Sequence, residues 1–259
     1  MKTARLALIT LLALPLYAQQ PRIEGGTLKV AQASSNLSAQ IESTASDGWV
    51  GYAIPGAKTH SVYCSSYDSF TISSSNDLHP AGSQPAVFFR VDDGIVTKVR
   101  LYSVDCALQA EGKGVTWLEG VDARASMNFL RALIDRRARV ADGAMAALSL
   151  HQGSVDLLLD LAKHHVEPKV RGKALFWLSQ QAGQRVGPAL REAADRDPDT
   201  KVKEQAVFGI SQLPDDESIP LLVDLVKTHR NPAVRKRAVF WLGQKNDPRA
   251  LAAIEEILK

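Results

Sequence analysis

VRGKALFWLSQ, VKEQAVFGISQ and VRKRAVFWLGQ occupy Val170–Gln180, Val202–Gln212 and Val234–Gln244, each copy beginning 32 residues after the one before. A fixed step of this size marks stacked supersecondary units, none of which can bury its apolar face without neighbours. Within the first copy, Val170, Ala174, Trp177 and Leu178 fall at i, i+4, i+7 and i+8, one side of a helix with 3.6 residues per turn. Glu167-Pro168, Asp197-Pro198 and Asn231-Pro232 precede the copies, and proline is tolerated in a first turn because its missing N–H would be unpaired there. A polar break and a second apolar segment follow, at Val155 to Leu161, Val186 to Ala193, Ile219 to Val226 and Leu251 to Leu258, with Pro188, Pro220 and Pro248 in or near their first turns. Two helices per step, joined by short turns, stack as an α-solenoid.

The pattern V-R-x-x-A-x-x-x-L, followed by a second helix and opened by an acidic residue or Asn before Pro, resembles the short HEAT-like repeats also found in phycobilin lyases. The resemblance spans roughly Arg139 to Lys259, and a degenerate first copy, VADGAMAALSL from Val140, reads as an atypical capping repeat. It implies a HEAT-like solenoid of about four helix pairs and a surface that binds another protein.

Further positions keep the same step. Phe176, Phe208 and Phe240 form one column and Gln180, Gln212 and Gln244 another, with Lys173 and Arg237 in the same sector. These eight residues are the candidate binding stripe, and the competing reading is that the phenylalanines fill the groove between adjacent repeats. Asp160, Glu192, Asp224 and Glu256 make an acidic column on the second helices; Arg171, Lys203 and Arg235 make a basic one on the first, a register that allows pairing between repeats.

MKTARLALITLLALPLYA at Met1 to Ala18 has two basic residues, an apolar run and a small residue before Gln19, the composition of a secretory signal peptide. The run is shorter than the ~20 residues of a membrane-spanning helix. Without Lys2 and Arg5 the formal net charge falls from +3 to +1, far from the concentrated basic charge of a nucleic-acid binder. Export makes a disulfide between Cys64 and Cys106 the leading expectation, with a bond to another chain or two buried thiols as the alternatives. The Asn36-Leu37-Ser38 sequon carries little weight in a chain whose leader and repeats have a bacterial style.

From Gln19 to about Val121 the helical period disappears. Val87 to Val91 and Ile95 to Val104, joined through Asp92-Asp93-Gly94, form the strongest hairpin signal, because Asp-Gly suits the positive φ angles of a tight turn. Weaker strands are expected at Thr27 to Ala33, Trp49 to Ile54, Val62 to Cys64 and Val115 to Leu118. Cys106 to Leu118 resembles a segment of secreted bacterial HEAT-repeat proteins lying between a β unit and a solenoid. Asp122 then caps a helix through Met127, Leu130 and Ile134, whose apolar face covers the open end of the stack.

No motif frames His60, Ser61 or His79 as a nucleophilic site. His164, His165 and His229 fall at ends of second helices, where a cation is favoured by the helix dipole and where repeat spacing separates His165 from His229 too far to share a metal. The His-Glu pairs of deoxyhypusine hydroxylase, another HEAT-repeat enzyme, are absent from the sequence. The reading is therefore an α+β chain: residues 1–18 a signal peptide, 19–121 a small β-rich domain, 122–138 a connecting helix and 139–259 the solenoid. Its expected role is a secreted or periplasmic bacterial interaction module whose partner is another protein, with no cofactor, metal, nucleic acid or membrane insertion after cleavage. The alternative is an enzyme or cofactor-handling lyase that uses the solenoid as a cradle.

Overall fold

The computed structural model describes residues 20–44, 47–57, 84–136, 138–181 and 185–257. Cys64, His60, Ser61, His79 and the strand expected at Val62 to Cys64 lie outside these residues.

The hairpin forms as its turn chemistry requires. β4 (Pro85–Asp92) and β5 (Ile95–Ser103) pair antiparallel across Asp93 and Gly94, at φ 50° and 73°. They belong to a five-stranded sheet of order β2-β7-β3-β4-β5, with β2 at Thr27–Gln32, β3 at Asp47–Ala53 and β7 at Gly114–Glu119. β7 runs parallel between β2 and β3, and its GVTWLE is buried from Val115 to Leu118, as a central strand must be. Two short elements the periodicity did not announce, β1 (Arg22–Glu24) and β6 (Ala107–Gln109), pair parallel to each other.

Alternation along the strands divides the side chains between two cores. Trp49, Phe88, Trp117 and Val115 pack with Tyr102, Cys106 and Leu108 in one. Val50, Tyr52, Val87, Phe89 and Leu118 join the other, which continues through the helices as one apolar cluster. The first helices over this face are α1 (Leu37–Thr44) and α2 (Ala123–Arg136). α1 is held by Leu37 and Ile41 in the core and capped by Asn36, whose side chain accepts the Ala39 N–H at 3.1 Å. Asp122 caps α2 in the same way, and Phe129, Leu130, Leu133 and Ile134 bury its apolar stripe.

Four helix pairs follow: α3 (Ala141–Ser149) with α4 (Val155–His164), α5 (Pro168–Ser179) with α6 (Val186–Arg196), α7 (Thr200–Ser211) with α8 (Asp215–Thr228), and α9 (Pro232–Gly243) with α10 (Pro248–Ile257). Two starts differ from expectation. α7 begins beyond Pro198, because Asp197 is drawn into an ion pair and Asp199 caps instead, accepting from the Lys201 and Val202 N–H groups. α8 begins at Asp215, so Pro220 sits inside it rather than in its first turn. The degenerate first copy becomes α3, which faces the sheet rather than solvent: a Cβ on Gly143 would lie 2.9 Å from Val99 of β5. No helix among the described residues is long and apolar enough to cross a membrane.

Candidate binding face

First helices α3, α5, α7 and α9 pack each against the next, whereas second helices α4, α6, α8 and α10 touch more sparingly. Ala174, Ala206 and Ala238 make the closer approach feasible: all three are fully buried at equivalent points of α5, α7 and α9. The sparser layer leaves an open groove of about 740 Å³ between α6 and α8, lined by charges of both signs, among them Arg191, Asp195, Arg196, Asp216 and Glu217.

Close approach of the first helices assembles an aromatic ladder. The Phe176 and Phe208 rings are stacked nearly parallel, 6.2 Å between centroids. Phe208 meets Trp241 at 5.1 Å, and Trp241 meets the edge of Phe240 at 5.0 Å. Trp177 closes the other end against Phe176 at 5.1 Å. The Arg237 guanidinium lies 5.7 Å from the Trp241 ring and 6.0 Å from Phe240. Phe176 and Phe208 are half-buried, and Phe240 is exposed. Gln180, Gln212 and Gln244 are exposed helix C-caps beside the ladder, and Gln180 and Gln212 each donate to the preceding serine hydroxyl. Lys173 turns to Asp142 of α3 at 3.1 Å. The eight stripe residues thus lie along one side of three first helices, and the phenylalanines serve packing between repeats while staying partly exposed.

The acidic column pairs with different partners from those its register allowed. Asp160, Glu192 and Glu256 take Arg131, Lys163 and Lys227 at 2.6, 3.0 and 2.8 Å, and Asp224 takes Arg191. All are second-helix residues except Arg131, on α2, so the charge register starts one helix before the repeat motif does. The basic column instead holds interhelical turns. Arg171 donates to the carbonyls of His165 and Val166, and Arg235 to those of His229 and Arg230. Lys203 donates to the Asp195 carbonyl. Arg171 also forms a two-pronged pair with Asp197 at 2.7 and 2.9 Å, with both side chains buried. Burial opposes ionisation of Asp197, but its bonds from Arg171 and the Asp199 N–H prevail and hold the carboxyl below its usual value. His165 and His229 are C-caps whose Nδ1 atoms accept the Glu167 and Asn231 N–H groups.

Residues 155–228 and 187–259 match the HEAT-repeat family model. Residues 155–259 are a HEAT-repeat array. No curated protein matches the chain. Among solved structures, the crystal structure of an engineered protein from a structural genomics consortium is similar at 18% identity and a TM-score of 0.32, over 52% of this chain and 69% of that one.

One buried polar chain, invisible in the sequence, joins the turn after α3 to α2 and the sheet. His151, in the turn after α3, bonds the Ala147 carbonyl through Nδ1 at 3.0 Å and Ser126 Oγ of α2 through Nε2 at 2.8 Å; Ser126 Oγ lies 2.8 Å from the Tyr52 hydroxyl of β3. A carbonyl only accepts, so Nδ1 carries the proton, Nε2 accepts from Ser126, and Ser126 accepts from Tyr52. The serine and histidine have the spacing of a nucleophile and base, but all three side chains are buried, so the chain fastens β3, α2 and α3 together. Burial pushes the Tyr52 phenol well above its ordinary value, opposed by the Ser126 bond. Burial also holds the His151 imidazole below its ordinary value, opposed by the carbonyls of Ala147 and Leu148. Unfolding therefore takes up a proton at His151: its contribution is full above the unfolded pKa of about 6.5 and declines as pH falls through and below it. Equilibrium unfolding of the wild type should lose stability from pH 7 to pH 5, and His151→Gln should flatten that slope; equal slopes would show that the ring takes up its proton as readily in the folded chain as in the unfolded one.

Proposed function

We propose that this chain is an exported protein-binding scaffold whose HEAT array captures another protein across the aromatic ladder of α5, α7 and α9. The observation that carries the reading is continuity: Trp177, Phe176, Phe208, Trp241 and Phe240 touch in sequence across three repeats, beside exposed Gln180, Gln212 and Gln244. Aromatic rings held rigid by neighbours, with polar donors and acceptors at their margin, are the usual anchors of protein interfaces. HEAT repeats commonly serve protein binding, which supports the same reading. The double substitution Gln180→Glu with Gln212→Glu should weaken cross-linked capture of the partner from envelope extract and leave the melting temperature nearly unchanged. Phe208→Ala, by contrast, should cost on the order of 2 kcal/mol, because it removes a ring from between two others. Unaltered capture by the double variant would remove the ladder from the interface.

Export and a Cys64–Cys106 bridge belong to the same proposal. Support comes from the leader-like residues 1–18 and from Cys106, which is buried in the second core in a described structure without a free cysteine. Non-reducing mass spectrometry of the protein from its own cells should find a chain shortened by the leader and two hydrogens lighter than its reduced form. A full-length chain with two alkylatable thiols would contradict it.

A further inference from the structure

Equivalent positions of successive repeats show what each repeat offers to the next. Leu175 and Val207 are 1% and 0% exposed, whereas Val239, one step on, is 39% exposed. On the second helices, Ile219 is 4% exposed and Leu251, its equivalent, 61%. Phe176 leans on Phe208, while Phe240 stands 50% exposed at the end of the ladder. At the position where Arg171 reaches a carboxylate of the following repeat, Lys203 of α7 and Arg235 of α9 both hold main-chain carbonyls instead, so the difference at the outer face lies in its apolar residues. The outer face of α9 and α10 thus repeats the chemistry that interior repeats use to bury a neighbour.

We propose that this face docks a second copy of the chain, tail to tail about a two-fold axis, with α9 of one copy against α10 of the other. Charge selects that occupant. Arg235 and Lys236 make the α9 side basic, and Glu255 lies on α10 at the position from which Arg191 of α6 reaches the next helix pair. None of the three has an ion-pair partner among the described residues. A face with positive charge on one helix and negative charge on its neighbour complements itself when rotated by half a turn, which is what a closed two-fold interface demands. The apolar residues Val239 and Leu251 then meet their counterparts between the charged pairs. Head-to-tail stacking has no receiving face, since the opposite end of the array is covered by the sheet through Gly143 and Val99. Pairing therefore stops at two copies.

Sedimentation of the full chain over a concentration series tests this. A reversible monomer–dimer equilibrium is expected, with Leu251→Glu raising the dimer dissociation constant roughly tenfold or more. Glu255→Lys and Lys236→Glu should each weaken the dimer, and the two combined should recover part of the loss. These positions lie off the Phe176–Phe208 ladder, so partner capture and self-association can fail independently. A chain that stays monomeric throughout overturns the proposal, as does a dimer indifferent to Leu251→Glu and Glu255→Lys.

Discussion

The distance between neighbouring first helices controls the rest of the array, and the residues that set it are Ala174, Ala206 and Ala238, each fully buried at the same point of its helix. With a methyl group at the contact, α5, α7 and α9 come near enough for Phe176 to stack on Phe208 and for Phe208 to meet Trp241. The same spacing brings the Arg171 guanidinium to Asp197 in the following repeat, where two parallel hydrogen bonds fix the step from one pair to the next. The surface charge ladder that starts at Arg131 of α2 with Asp160 and runs along the second helices to Lys227–Glu256 adds register more than stability, since such pairs contribute only about 0 to 1 kcal/mol each.

The array does not begin on an open end. α3 lies on β5 at Gly143, α2 buries Phe129 against Phe89, and the Tyr52–Ser126–His151 chain ties β3, α2 and the turn after α3. A repeat stack is normally free to fray from both termini. Here the sheet supplies a broad apolar wall at one terminus, so the first-helix rank starts from a fixed position and the ladder inherits its alignment. The other terminus, at α9 and α10, retains the surface of an interior repeat.

What could be read from sequence followed from how locally each feature is encoded. The helix pairs were legible because Val170, Ala174 and Leu178 recur at a constant step, and the β4–β5 hairpin because Asp93-Gly94 prescribes its own turn. α1 was missed because only Leu37 and Ile41 anchor it, and its cap, Asn36, also reads as a sequon. The acidic column was visible but its partners were not: they depend on how helices tilt past one another, and Arg191 acts one turn before the position that Lys163 and Lys227 would suggest. The ladder residues were legible as columns, yet the near-parallel stack of Phe176 on Phe208 and the part played by Trp241 follow from helix separation. Tyr52, Ser126 and His151 share no spacing at all; only the folded chain brings them together.

The most direct test of this account is the unfolding free energy of Ala206→Leu, which places three extra carbons at the central contact between first helices. Overpacking there should cost about 1 to 3 kcal/mol in denaturant or thermal unfolding, with the repeat helices otherwise retained. A variant as stable as the wild type would mean that the first helices are not held together at this point, and the explanation of the aromatic ladder by their close approach would fail.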